Sequence, residues 1–168
     1  MAQLRTLGLL LSRLRPSSFI PATALLFVVA LSPGTARAQA DIGVRAGVSG
    51  DPDQFYVGAH IDTQPIVDRL RFRPNVEVGF GNDVTLVAVN LEFAYVVPIR
   101  RHPWSVYFGG GPAINFYRGE GNHPGDSNTE PGFNLLVGLA HTGGLFAELK
   151  VGALDSPGVK FGVGYTFK

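Results

Sequence analysis

Cysteine is absent from the 168 residues, which excludes disulfide staples, thiolate metal sites and a lipid-modified N-terminal cysteine. Charge is scarce: Asp, Glu, Lys and Arg make up 16 % of the chain, against about 25 % in soluble domains. Few groups are left to solvate a surface. Long apolar runs are missing too, since the best of them, residues 19–31, falls short of the roughly 20 residues a membrane-spanning helix requires. No acidic residue precedes Asp41, whereas Arg5, Arg13, Arg15 and Arg37 do. Without those four arginines, ten basic residues face thirteen acidic ones, a net charge of −3, and nucleic-acid binding drops out as a class. What the chain holds in plenty is glycine, 22 residues, and phenylalanine, 12 residues.

The first forty residues read as a helical secretory signal peptide. Three arginines precede the apolar run, Pro33 and Gly34 break it, and two overlapping small-x-small sites follow, Ala36-Arg37-Ala38 and Ala38-Gln39-Ala40. Cleavage after Ala38 or after Ala40 leaves one mature domain, residues 41–168.

From Asp41 onward the apolar residues alternate with period two and are punctuated by Gly, Pro, Asn and Asp, the pattern of strands rather than helices. The breaks predict eight strands over residues 42–49, 55–63, 70–80, 85–97, 104–117, 133–142, 145–154 and 160–168. In each, one phase is apolar, as in Val44, Ala46 and Val48, or Phe161, Val163, Tyr165 and Phe167. Every strand charge except the terminal Lys168 falls in the other phase: Arg45, Asp62, Arg71, Arg73, Glu77, Glu92, Glu148, Lys150 and Lys160.

Alternation alone does not say which phase is inside. The charged phase is crowded with glycine (Gly43, Gly47, Gly58, Gly138, Gly162, Gly164), which suits the narrow interior of an eight-stranded barrel. It is also too poor in charge for a solvated exterior, where Lys, Arg, Glu and Asp reach about 25–35 %. The fold class predicted is therefore all-β: an eight-stranded antiparallel up-and-down transmembrane β-barrel, apolar outside and charged inside.

The last strand, Lys160-Phe161-Gly162-Val163-Gly164-Tyr165-Thr166-Phe167, resembles the C-terminal β-signal of bacterial outer-membrane proteins in Lys160, Gly162, Tyr165 and Phe167. It departs from that pattern in ending on Lys168 rather than on the aromatic. With the leader and eight strands, the whole chain resembles the small outer-membrane barrel superfamily, which includes the OmpA transmembrane domain, OmpX and opacity-type surface proteins. The resemblance implies a Gram-negative outer-membrane location and periplasmic chain termini. It also implies contact with membrane lipid and lipopolysaccharide, and recognition of the last strand by the barrel-assembly machinery. Periplasmic turns are then expected at residues 64–69, 99–103 and 142–144, and one long outward loop at 118–132.

A symmetric hairpin about Asn82-Asp83 sets Arg73 opposite Glu92, Asn75 opposite Asn90 and Glu77 opposite Ala88. Centring the preceding turn between Ile66 and Val67 sets Asp62 opposite Arg71. A paired-charge network filling and plugging the lumen follows, because an unpaired charge in a closed interior costs several kcal/mol. The function expected is a structural or surface-contact role in the envelope without catalysis or cofactor. The alternatives are a narrow water or ion channel, a lipid-modifying barrel enzyme and, last, a soluble periplasmic carrier. Lipid-modifying deacylases of this fold class carry His-x-Ser with a downstream Glu. Here His141 is followed by Thr142-Gly143, and the expected register sends His141 outward but Glu148 inward. His60, His102 and His123 show no metal-ligand spacing.

Overall fold

The computed structural model describes residues 40–81, 84–119 and 127–168. The leader predicted up to Ala38 or Ala40 lies almost wholly outside the described residues, as do Asn82, Asp83, Glu120 and Asp126. Eight antiparallel strands, β1 (Asp41–Gly50), β2 (Gln54–Asp62), β3 (Leu70–Phe80), β4 (Val84–Pro98), β5 (Trp104–Gly119), β6 (Ser127–His141), β7 (Leu145–Leu154) and β8 (Val159–Phe167), pair in chain order, and β8 closes on β1. Closure pairs every strand on both sides, which removes the open edges that lipid cannot satisfy. No described helix is long and apolar enough to cross a membrane.

The period-two pattern decides what each strand shows to which side. Along β6, Gly132, Asn134, Leu136 and Gly138 are buried while Phe133, Leu135, Val137 and Leu139 are exposed. The same alternation turns Arg45, Arg73, Glu77, Glu92, Glu148, Lys150 and Lys160 inward and leaves Ile42, Val44, Phe55, Phe80, Phe161 and Phe167 on the outer surface. Curvature this tight needs close backbone approach. A Cβ on Gly109 would lie 1.8 Å from the Phe93 carbonyl oxygen and one on Gly111 2.0 Å from that of Leu91, so β5 bends against β4 where no side chain fits.

Two sequence expectations are corrected. Residues 118–132 are not one long loop: β5 runs on to Gly119, β6 starts at Ser127, and Arg118 pairs with Ser127 and Ala113 with Gly132. Ser127, Asn128 and Thr129 are all exposed, so this end of the ribbon carries no buried apolar phase for a period-two reading to detect. Pro131 is tolerated because β6 has only β5 beside it there; its ladder with β7 begins at Gly132.

The β2–β3 register is the second correction. It pairs His60 with Asn75, two residues away from the register that would set Asp62 opposite Arg71. The connection is not symmetric: the Ile66 amide donates to the Leu70 carbonyl at 2.7 Å and Val67 bridges Leu70, so a small turn lies beside β3 alone. The β3–β4 register is the expected one, Arg73 opposite Glu92 and Asn75 opposite Asn90.

Candidate functional site: the charged lumen

Three carboxylates organise the interior. Glu77 on β3 accepts from Lys150 at 2.9 Å, Lys160 at 2.8 Å and Arg45 at 3.3 Å. Glu92 on β4 accepts from Lys150 at 2.7 Å and from the Asn75 amide at 2.7 Å. Glu148 on β7 accepts from Arg45 at 3.0 Å, Arg73 at 3.4 Å and the Tyr107 hydroxyl at 2.9 Å. These seven charged side chains are at most 6 % exposed. Removing charges from water is costly, and multiple short contacts to each carboxylate are what offset it.

Arg73 sits opposite Glu92 in the ladder, yet its ion pair is with Glu148, while Glu92 is held by Lys150 and Asn75. The lumen is narrow enough that a long guanidinium reaches a different strand more readily than its cross-strand neighbour. Asp62 and Arg71 pair diagonally at 3.2 Å despite the shifted register, in a more open position with 15 % and 29 % of their side chains exposed.

Aromatic side chains in the charged phase were missed by the sequence reading. Arg73 lies over the Tyr107 ring at 4.8 Å and the Phe146 ring at 5.2 Å, Arg45 lies 5.5 Å from Phe146, and Lys160 5.6 Å from Tyr56. These contacts are cation–π pairs in a desolvated setting. A signal for them exists: each aromatic has a glycine as cross-strand neighbour, Tyr56 with Gly47 and Gly79, Tyr107 with Gly138, and Phe146 with Gly164. A Cβ on Gly138 would sit 2.3 Å from Tyr107 Cζ, and one on Gly164 2.4 Å from Phe146 Cζ. The glycines make the room into which the rings lie. An amide chain adds to the filling, with Asn134 donating to Asn90 and Asn90 to Asn75, both at 2.8 Å.

At the end bearing Asp41 and Phe167, a cavity of about 170 Å³ lined by Asp62, Arg71, Arg73, Tyr107 and Phe146 opens into the lumen. Beyond the charge cluster, beside Tyr56, Glu77 and Lys160, the gap is about 10 Å³, the room of a single water at most.

Of the last-strand residues, Lys160 points inward to Glu77 and Gly162 faces Tyr56, whereas Tyr165 and Phe167 lie on the outer surface with ring centroids 5.3 Å apart. His141 and Glu148 do not meet. His141 lies against Trp104, ring centroids 4.9 Å apart, and its Nδ1 accepts from the Gly143 amide, while Glu148 is committed to Arg45, Arg73 and Tyr107. Among the described residues no group of His, Asp or Glu has the arrangement to hold a metal ion.

A closed antiparallel barrel that turns a broad apolar face outward and pairs seven buried charges inside is a transmembrane β-barrel. Its fold is that of the small outer-membrane barrels. The chain is similar to Neisserial surface protein A (TM-score 0.59, 16 % identity, 77 % of this chain and 94 % of that one). It is likewise similar to the N-terminal β-barrel domain of Pseudomonas aeruginosa OprF (TM-score 0.57, 15 % identity, 76 % and 96 %). At such identities the likeness is one of fold. No protein-family model and no curated protein matches the chain.

Proposed function

We propose that this chain resides in the bacterial outer membrane, where it serves a structural or surface-contact role in the envelope, with a lumen plugged rather than conducting. The observation that carries the reading is the cluster around Glu77: three cations converge on one buried carboxylate, a way of filling space rather than of passing solutes. Catalysis is not part of the proposal: His141 lies against Trp104, and Glu148 is held by Arg45, Arg73 and Tyr107. In that setting the chain meets membrane lipid and lipopolysaccharide, and the last strand, with Gly162, Tyr165 and Phe167, is the segment offered to the assembly machinery. The paired ends of β5 and β6, with Arg118, Asn128 and Glu130, form the surface available for outward contact.

Planar-bilayer recording at high salt tests the plug, and the expected trace shows no stable large openings. Reproducible openings from protein whose folding is certified by heat-modifiable gel migration would overturn it in favour of a narrow channel.

A further inference from the structure

The turn between β4 and β5 has features that the lumen does not use. The Ile99 amide donates to the Trp104 carbonyl at 3.0 Å and the His102 amide to the Ile99 carbonyl at 3.2 Å, which closes a tight turn over Arg100 and Arg101. Arg101 has φ 62°, in the left-handed region where glycine is at ease and an arginine is not. Both arginines are exposed, and neither is in an ion pair among the described residues. Beside this turn, Ile99, His102, Trp104 and Leu139 line an open groove of about 330 Å³. Ile99 is 38 % and Leu139 46 % exposed, so the groove faces whatever surrounds the barrel.

We propose that this groove and its turn bind a phospholipid with an anionic headgroup, a reading that rests on the membrane placement above. An acyl chain suits the apolar walls of Leu139, Trp104 and Ile99. Arg100 and Arg101 lie in the chain between the lining residues Ile99 and His102, and two exposed guanidiniums on that turn suit a headgroup that carries net negative charge. A zwitterionic headgroup fills the same groove but brings its own cation to the turn, so it gains less from Arg100 and Arg101. The backbone strain at Arg101 fits this use, since it sets a charged side chain where a relaxed turn would have glycine.

Trp104 is the only tryptophan of the chain, so its fluorescence reports on this groove. The full-length protein is refolded into mixed vesicles of phosphatidylcholine and phosphatidylglycerol, one or the other carrying brominated acyl chains. Brominated phosphatidylglycerol is expected to quench Trp104 beyond its mole fraction, with a preference on the order of tenfold for two basic residues at the surface. The double substitution Arg100→Gln and Arg101→Gln should bring the preference close to one without altering heat-modifiable migration. Equal quenching by both lipids in the unsubstituted protein, or a preference unchanged in the double variant, overturns the site. Loss of the preference on adding millimolar inorganic phosphate also overturns it, by showing that the turn takes a free anion. If folded protein is quenched by neither brominated lipid, the membrane placement itself fails.

Discussion

Replacing Glu77 with glutamine is expected to destabilise the folded barrel by about 3–5 kcal/mol, the cost of leaving buried cations without their carboxylate. Arg45, Lys150 and Lys160 all converge on Glu77, and the amide that replaces it keeps the shape while losing the charge. The count of buried charges predicts an asymmetry. Among the described residues, the buried Arg45, Arg73, Lys150 and Lys160 face Glu77, Glu92 and Glu148, four cations against three acids, so removing an acid widens the imbalance and removing a cation closes it. Lys160→Met should therefore cost clearly less than Glu77→Gln, and adding it to the Glu77 variant should recover part of the loss. Urea unfolding in detergent micelles, followed by tryptophan fluorescence, measures all three. A Lys160→Met loss as large as that of Glu77→Gln would contradict the charge count.

Gly162→Ala is expected to cost about 1–3 kcal/mol, the range for forcing extra atoms into a filled interior, and Tyr56→Phe in the same chain should restore most of it. The added Cβ would lie 2.2 Å from the Tyr56 hydroxyl oxygen but 3.3 Å from Cζ and 3.5 Å from the Ala46 carbonyl oxygen, so the hydroxyl alone makes the hard clash. Refolding of purified protein in detergent removes the assembly machinery from the measurement. If the double variant is no more stable than Gly162→Ala, ring packing is not what this glycine serves. The last strand's glycine would then owe its place to recognition during assembly.

How far the fold could be read from the sequence depended on what the environment imposes on each stretch. Where a strand separates an apolar outside from a charged inside, the phase is unmistakable, as for Arg71, Arg73 and Glu77 on β3. Where a strand leaves that boundary, as at Ser127 to Thr129, nothing forces alternation and the strand reads as loop. Register was legible across Asn82-Asp83, where a short connection leaves little freedom, but not across 63–69, where Asp68 adopts φ 32° and the turn forms on one side only. Of the candidate site, the charged members could be named, since charge in a strand has only one place to go. Their partners could not. Arg73 reaches Glu148 on β7 rather than Glu92 beside it, a choice set by the width of the closed lumen. Tyr56, Tyr107 and Phe146 escaped notice because aromatic residues in an inward phase look like noise until the glycines opposite them are counted.

Those glycines bear on how the cylinder finds its seam. Sliding β8 along β1 by two residues, about 7 Å, would keep Phe161, Val163, Tyr165 and Phe167 facing outward, so the alternation that forbids a one-residue slip has no say against it. The rings do. In the native seam Gly162 stands before Tyr56 and Gly164 before Phe146. A slide one way brings Lys160 up against Tyr56, and a slide the other way brings Thr166 up against Phe146. Each aromatic thus acts as a stop in one direction, and the two together key the last strand to a single docking position.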